Sequence, residues 1–208
     1  MELKENQGIP RYVILMMAVM AGVSVANLYY NQPLLEMIRT DLSVTEVKAN
    51  LITVITQVGY SLGLFFVIPV GDLCSRRKII LVCMSLATVF AAAIGFAPSI
   101  QIVWIASLFL GVCSIVPQLF IPIAGQFSQP QNKARNMGYV LSGLLCGILG
   151  ARVISGFIGD WLGWRWMFII AALLMIVSTG ISLKLMPEMK RNFQGSYLGL
   201  MKSIFLII

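Results

Sequence analysis

The sequence predicts an all-α membrane protein of six transmembrane helices. Three observations carry the prediction. Of 208 residues, 59% are apolar and only 11% charged, less than half the charged fraction of an ordinary soluble domain. Mean hydropathy is +0.90. The apolar residues also fall into six separate runs of bilayer-spanning length, divided by short polar segments. Lipid offers the backbone no hydrogen-bond partners, so each run must close its own bonds as a helix. The period-two alternation of a membrane barrel is absent.

The first span is expected over about 12–35. Its N-terminal flank carries Glu2 and Glu5 against Lys4 and Arg11. Without a positively charged start it reads as a span and not as a cleaved signal peptide. The second is expected over 51–70, the third over 79–97 and the fourth over 102–124. The fifth follows over 137–158 and the sixth over 164–186. Residues 1–186 thus form one six-helix bundle. Pro187 ends the sixth span, and 187–208 reads as the start of a cytoplasmic linker in a chain that continues.

Orientation follows from lysine and arginine placement. With the N-terminus inside, eleven of these residues lie in inner segments, three (Arg39, Lys48, Arg165) lie in outer loops, and Arg152 lies within a span. That asymmetry places both termini in the cytoplasm. The net charge of +7 is therefore an orientation signal in short loops and implies no nucleic-acid partner. The partner is the lipid bilayer.

Composition also excludes chemistry. There is no histidine, which removes Ser-His-Asp triads, Cys-His dyads and histidine metal sites. Cys74, Cys83, Cys113 and Cys146 include no CxxC pair, and read as small packing residues. Neither a metal nor another cofactor is implied, and an enzyme is disfavoured.

A weak internal repeat runs through the chain. Gly22 and Pro33 recur as Gly111 and Pro122 at the same separation. Gly59, Gly71, Asp72 and Arg77 recur as Gly147, Gly159, Asp160 and Arg165 at one fixed offset. Spans one and four then run in opposite directions, which makes a 3+3 inverted repeat. In secondary transporters such repeats surround a site near the bilayer midplane.

Three motifs give the chain a family resemblance. Gly71-Asp72-Leu73-Cys74-Ser75-Arg76-Arg77-Lys78, between spans two and three, resembles the loop motif of the major facilitator superfamily. Ala26-Asn27-Leu28-Tyr29-Tyr30-Asn31-Gln32-Pro33 resembles the sugar-efflux and drug-proton antiporter branch. So does Gly163-Trp164-Arg165-Trp166-Met167-Phe168. The resemblance covers residues 10 to 208 and implies the N-terminal half of a twelve-helix fold. Ser75 stands where the loop motif is acidic, and Arg152 where the antiporter motif of span five has proline. Ser107 occupies the place where the family often has an arginine in span four.

The resemblance implies a secondary transporter of a small organic solute or drug, working by alternating access. Efflux, proton coupling and a bacterial inner-membrane location complete the expectation. A second six-helix half or a homodimer is the implied protein partner. The alternative is a truncated, non-transporting remnant, or a half-transporter that needs its other half.

Arg152 leads the candidate binding residues. A charge deep in a span costs about 2.5–3.5 kcal/mol on insertion scales. It reads as a substrate or anion contact, as a gating partner of Glu36 or Asp160, or as an arginine reaching outward to water. Asn27, Tyr30, Asn31 and Gln32 in span one, with Ser114 and Gln118 in span four, are candidates to hydrogen-bond substrate. Interhelical polar contact is the other reading. Gln57 and Tyr60 in span two share it. Gly71, Asp72, Arg76 and Arg77 read as a gating loop, or as a topology signal alone. Acidic residues inside spans are nearly absent, so a proton carrier would stand at Glu36, at Asp72 or outside this sequence.

Overall fold

A computed structural model describes residues 3 and 5–188, with Asp72 and Leu73 described by their backbone alone. The expected linker therefore lies outside the described residues from 189 onward. Helices dominate, and five of them are long and apolar enough to cross a membrane.

The remaining crossing is broken. Helix α1 (Arg11–Ala26) stops where span one was expected to run on. A tight turn over 27–31 leads into a 3-10 turn, Gln32–Leu34, and then α2 (Leu35–Asp41). The cause is Pro33, which has no N–H to give the turn above it. The chain compensates with i→i+3 bonds, Gln32 N to Tyr29 O at 3.3 Å and Leu34 N to Asn31 O at 3.0 Å. The backbone at Asn27 and Asn31 stays right-handed, so the path continues to Asp41, beyond the expected end at 35.

Span two is α3 (Glu46–Phe66), a turn through Pro69, and α4 (Val70–Leu73). Span three is α5 (Arg76–Gly95). Span four also breaks, into α6 (Ile100–Cys113) and α7 (Val116–Phe127), because Pro117 cannot donate. The break falls one repeat offset from the break in span one. Span five is α8 (Lys133–Leu162), which is free of proline and runs 30 residues unbroken. Gly163, at φ +89°, turns the chain into α9 (Trp164–Leu185). A side chain would strain that backbone.

The most extensive pairings are α1 with α8, α3 with α6, and α5 with α9. Under the repeat the first two exchange and the third maps on itself. Glycines set the first two. A Cβ on Gly147 would stand 2.4 Å from Gly22 Cα, and one on Gly59 would stand 2.0 Å from Leu108 O. A Cβ on Gly111 would lie 2.2 Å from Thr56 O and 3.2 Å from the Gly59 carbonyl carbon. Along α8, Gly143, Gly147, Ala151, Ser155 and Gly159 form a small-residue ridge at every fourth position. Ala18, Gly22 and Leu34 of span one cross Gly143, Gly147 and Gly159 of it in turn. The repeat seen as matching glycines is thus a pair of equivalent helix crossings.

Leu3 N–H donates to Glu188 O at 3.0 Å, so both described ends meet at one end of the bundle, here called basal. That requires an even number of crossings. Two arginines related by the repeat clamp α5 to α9. At the basal end Arg77 Nη2 donates to Leu183 O at 2.8 Å, and at the other, apical end Arg165 Nη1 donates to Ala97 O at 2.6 Å. Each satisfies a carbonyl at a helix C-terminus that has no intrahelical donor.

Candidate functional site

Polar side chains gather at mid-bundle, beside the two breaks. Asn31 ties span one to span two: its Nδ2 donates to Thr56 Oγ1 at 3.2 Å, and Thr53 Oγ1 donates to its Oδ1 at 3.3 Å. Gln118, just past the break in span four, donates through Nε2 to the Tyr60 hydroxyl at 3.0 Å. The Arg152 guanidinium carbon stands 5.3 Å from the Tyr29 ring centre. Along α3, Thr53, Gln57 and Ser61 recur at every fourth position and form a polar stripe on an open face of that helix. Spans one, two, four and five therefore all contribute.

The sequence candidates divide. Gln118 and Gln32 are half-buried and Arg152 is exposed. Asn27, Tyr30, Asn31 and Ser114 are buried. Asn27 Nδ2 is spent on Ser24 O at 3.3 Å, and Ser114 Oγ on Leu110 O at 2.7 Å, just before its own helix break. These side chains hold the distorted spans together from within the wall. Tyr29 was not among the expected residues, though it sits inside the motif that named Tyr30. Thr53 and Thr56 were missed too, and only their contact with Asn31 marks them.

One buried group is unsatisfied. Ser24 Oγ has no hydrogen-bond partner among the described residues. Ser24→Ala is therefore expected to leave thermal stability unchanged or to raise it by about 1 kcal/mol, measured as unfolding temperature in detergent. A clear loss of stability would show that the hydroxyl has a partner.

The expected ion pairs of Arg152 are not formed. Glu36 is engaged by Arg39, whose Nε lies 2.8 Å from its Oε2 and whose Nη2 bonds the other oxygen. A guanidinium that holds both oxygens favours the charged carboxylate, which makes Glu36 a poor proton carrier. Asp160 is eight residues along the same helix, about 12 Å away, and pairs with nothing among the described residues.

At the basal end, Gly71 sits against Leu119 of α7. Arg76 Nη1 donates to Gln126 Oε1 at 3.0 Å, and Arg77 also reaches Glu188 at 3.4 Å. The loop between spans two and three is thus bound to the ends of spans four and six. The Asp72 side chain lies outside the described residues. A groove of about 950 Å³, which sequence reasoning missed, opens at this end between the start of α1 and the start of α8. Its lining includes Arg11, Gln129, Arg135 and Tyr139. It ends at Ala18, some 16 Å short of Tyr29 along the helix axis.

Residues 14–197 match the family model described as Major Facilitator Superfamily. The chain belongs to the major facilitator superfamily. It is 32% identical over 202 residues to the uncharacterized transporter YgaY of Escherichia coli O157:H7, covering 97% of this chain and 51% of that protein. It is 24% identical over 196 residues to the inner membrane transport protein YnfM of Escherichia coli strain K12, covering 93% of this chain and 47% of that one. Among solved structures, a bacterial homolog of the human lysosomal transporter Spinster, inward-facing and occupied, superposes with a TM-score of 0.68. That match has 16% identity and covers 88% of this chain and 45% of the other, so it speaks for the fold. This major facilitator chain spans about half the length of the curated relatives it matches.

Proposed function

We propose that this chain forms one half of a secondary transporter that moves a small organic solute across a bacterial inner membrane by alternating access. The supporting observation is the polar band at mid-bundle: four spans of a major facilitator fold turn Tyr29, Tyr60, Gln118 and Arg152 toward one region beside the breaks in spans one and four. Efflux and a link to the drug and sugar-efflux branch rest on the motifs of spans one and six. Both termini face the cytoplasm by the lysine and arginine asymmetry.

In this reading Gln118 and Arg152 contact the solute together with Tyr29 and Tyr60, and Gln32 stands at the edge. Asn27, Tyr30, Asn31 and Ser114 shape the wall that holds them. Gly71, Asp72, Arg76 and Arg77 form the basal gate, which biases the balance between open states by making and breaking contacts with neighbouring helix ends. The least buried long helices, α8 and α3, carry apolar side chains outward. They fit a second six-helix half, whether in the same polypeptide or as another copy. The length of the relatives favours this reading.

Transport into proteoliposomes containing the complete protein tests the proposal. Tyr60→Phe removes the hydroxyl that accepts from Gln118. It is expected to raise the KM for the transported solute about two- to tenfold, the worth of one hydrogen bond, while Gly138→Ala leaves transport unchanged. If Tyr60→Phe and Arg152→Ala both transport as well as the wild type, the band is not the site.

A further inference from the structure

The geometry points to an organic anion as the solute, with Arg152 as the group that binds its charge. The inference rests on the transporter reading above and names the substrate class of that site. Its ground is the charge balance around one side chain. Arg152 lies well inside an unbroken 30-residue span and is exposed, and its partner among the described residues is the Tyr29 ring. The described carboxylates all stand at the ends of the bundle. Glu36 is bound by Arg39, Asp41 by Arg165, and Glu188 by Arg77, while Glu5 accepts from Gln126. Glu46 opens α3 at the apical end, and Asp160 closes α8 there.

A guanidinium at this depth is stable only when something answers its charge. The neighbouring ring answers part of the charge. The guanidinium N–H groups make no hydrogen bond among the described residues. A planar fork of donors is the shape that a carboxylate, phosphate or sulfonate accepts. The same region supplies a hydroxyl and an amide, Tyr60 and Gln118, already bonded to each other. The Tyr29 ring supplies an aromatic surface beside the guanidinium. The matching solute carries one anionic group, an apolar or aromatic body, and a polar group at a distance from the charge.

The test uses 4-hydroxybenzoate as the probe, against its neutral isostere 4-hydroxybenzamide and the cation benzylamine. Uptake and thermal stabilisation are read for the complete protein in liposomes and in detergent. The anion is expected to stabilise and be transported, and the amide and the amine are not. Arg152→Gln is expected to weaken binding about thirtyfold or more, and Arg152→Lys by less, because lysine keeps the charge and loses the fork. Without solute, Arg152→Gln should melt no lower than the wild type, since an unanswered charge is removed. If that variant does not fold, the lysine variant alone must show the loss of affinity for the anion. Transport of the amide or the amine, unimpaired in Arg152→Gln, overturns the anion assignment and leaves the transporter reading standing. If 4-hydroxybenzoate neither binds nor moves in a folded wild-type protein, the anion assignment falls, and the transporter reading is decided by the Tyr60→Phe and Arg152→Ala test above.

Discussion

Gly147→Leu is expected to abolish accumulation of folded protein. A Cβ at this position would stand 2.3 Å from Gly22 O and 2.4 Å from Gly22 Cα. Both are backbone atoms of the facing helix, which no rotamer change can move aside. Overpacking a core with flexible neighbours costs about 1–3 kcal/mol. Here the two helices must separate along their whole ridge, so the cost is above that range and comparable to the total stability of a typical domain. The repeat predicts the same for Gly59→Leu, whose Cβ would lie 2.0 Å from Leu108 O. Gly138→Ala and Gly180→Ala are the controls, because nothing lies within 4 Å of a Cβ at either. Size-exclusion profiles after extraction in mild detergent decide the matter. A monodisperse Gly147→Leu protein with a wild-type melting temperature would show that α1 and α8 do not pack as described.

Arg165→Ala should lower stability by about 1–3 kcal/mol, with the apical end of the bundle opening first. Its guanidinium donates to Ala97 O at 2.6 Å and to Asp41 Oδ2 at 2.9 Å, and lies 4.4 Å from the centre of the Trp164 ring. Trp164 Nε1 donates to the same carboxylate at 3.2 Å. One side chain thus joins the ends of spans one, three and six. The Asp41 ion pair itself is partly exposed, 36% for the arginine and 48% for the aspartate, and an exposed pair contributes under about 1 kcal/mol. The greater part of the effect comes from the Ala97 carbonyl, left without a donor. Asp41→Asn should therefore cost markedly less than Arg165→Ala. Arg165→Lys should fall between them, because lysine cannot bridge the carbonyl and the carboxylate in one plane. Thermal unfolding of the three variants in detergent measures the order. Equal losses for Asp41→Asn and Arg165→Ala would mean that the ion pair carries the contact and the carbonyl does not.

Six crossings and the helical class were legible from hydropathy, because the bilayer imposes length and closed hydrogen bonding on every run. The orientation proposed for the chain rests on charge counts alone. The breaks in spans one and four have a local cause in Pro33 and Pro117, which lack an N–H. The path of the backbone through each break was not legible. Span one reaches Asp41 because i→i+3 bonds carry the chain past Pro33, and apolarity alone ends it at residue 35. Arg39, counted as a loop residue, sits in the last turn of that helical path.

The glycine repeat shows where local and tertiary information part. Gly22 matches Gly111, and Gly59 matches Gly147, in the sequence alone. The contacts run across those matches, Gly22 against Gly147 and Gly111 against Gly59. Sequence identity between repeats reports equivalent environments, and only the packed bundle reports which environment faces which. The same holds for charge. Arg152 could be located inside a span from its neighbours in the chain. That Glu36 was already taken by Arg39 depended on where span one ends.

Hydropathy, spacing and motifs were enough for the class, the number of crossings, the resemblance to one family and the set of polar residues placed inside spans. Packing was needed to tell which of those residues face outward. Tyr29 and Tyr30 are neighbours in the chain and stand about 100° apart on a helix. Tyr29 reaches Arg152, while Tyr30 is buried in the wall. The rotation of span one about its own axis makes that choice, and it is set by the ridge of small residues on α8 against which the span rests.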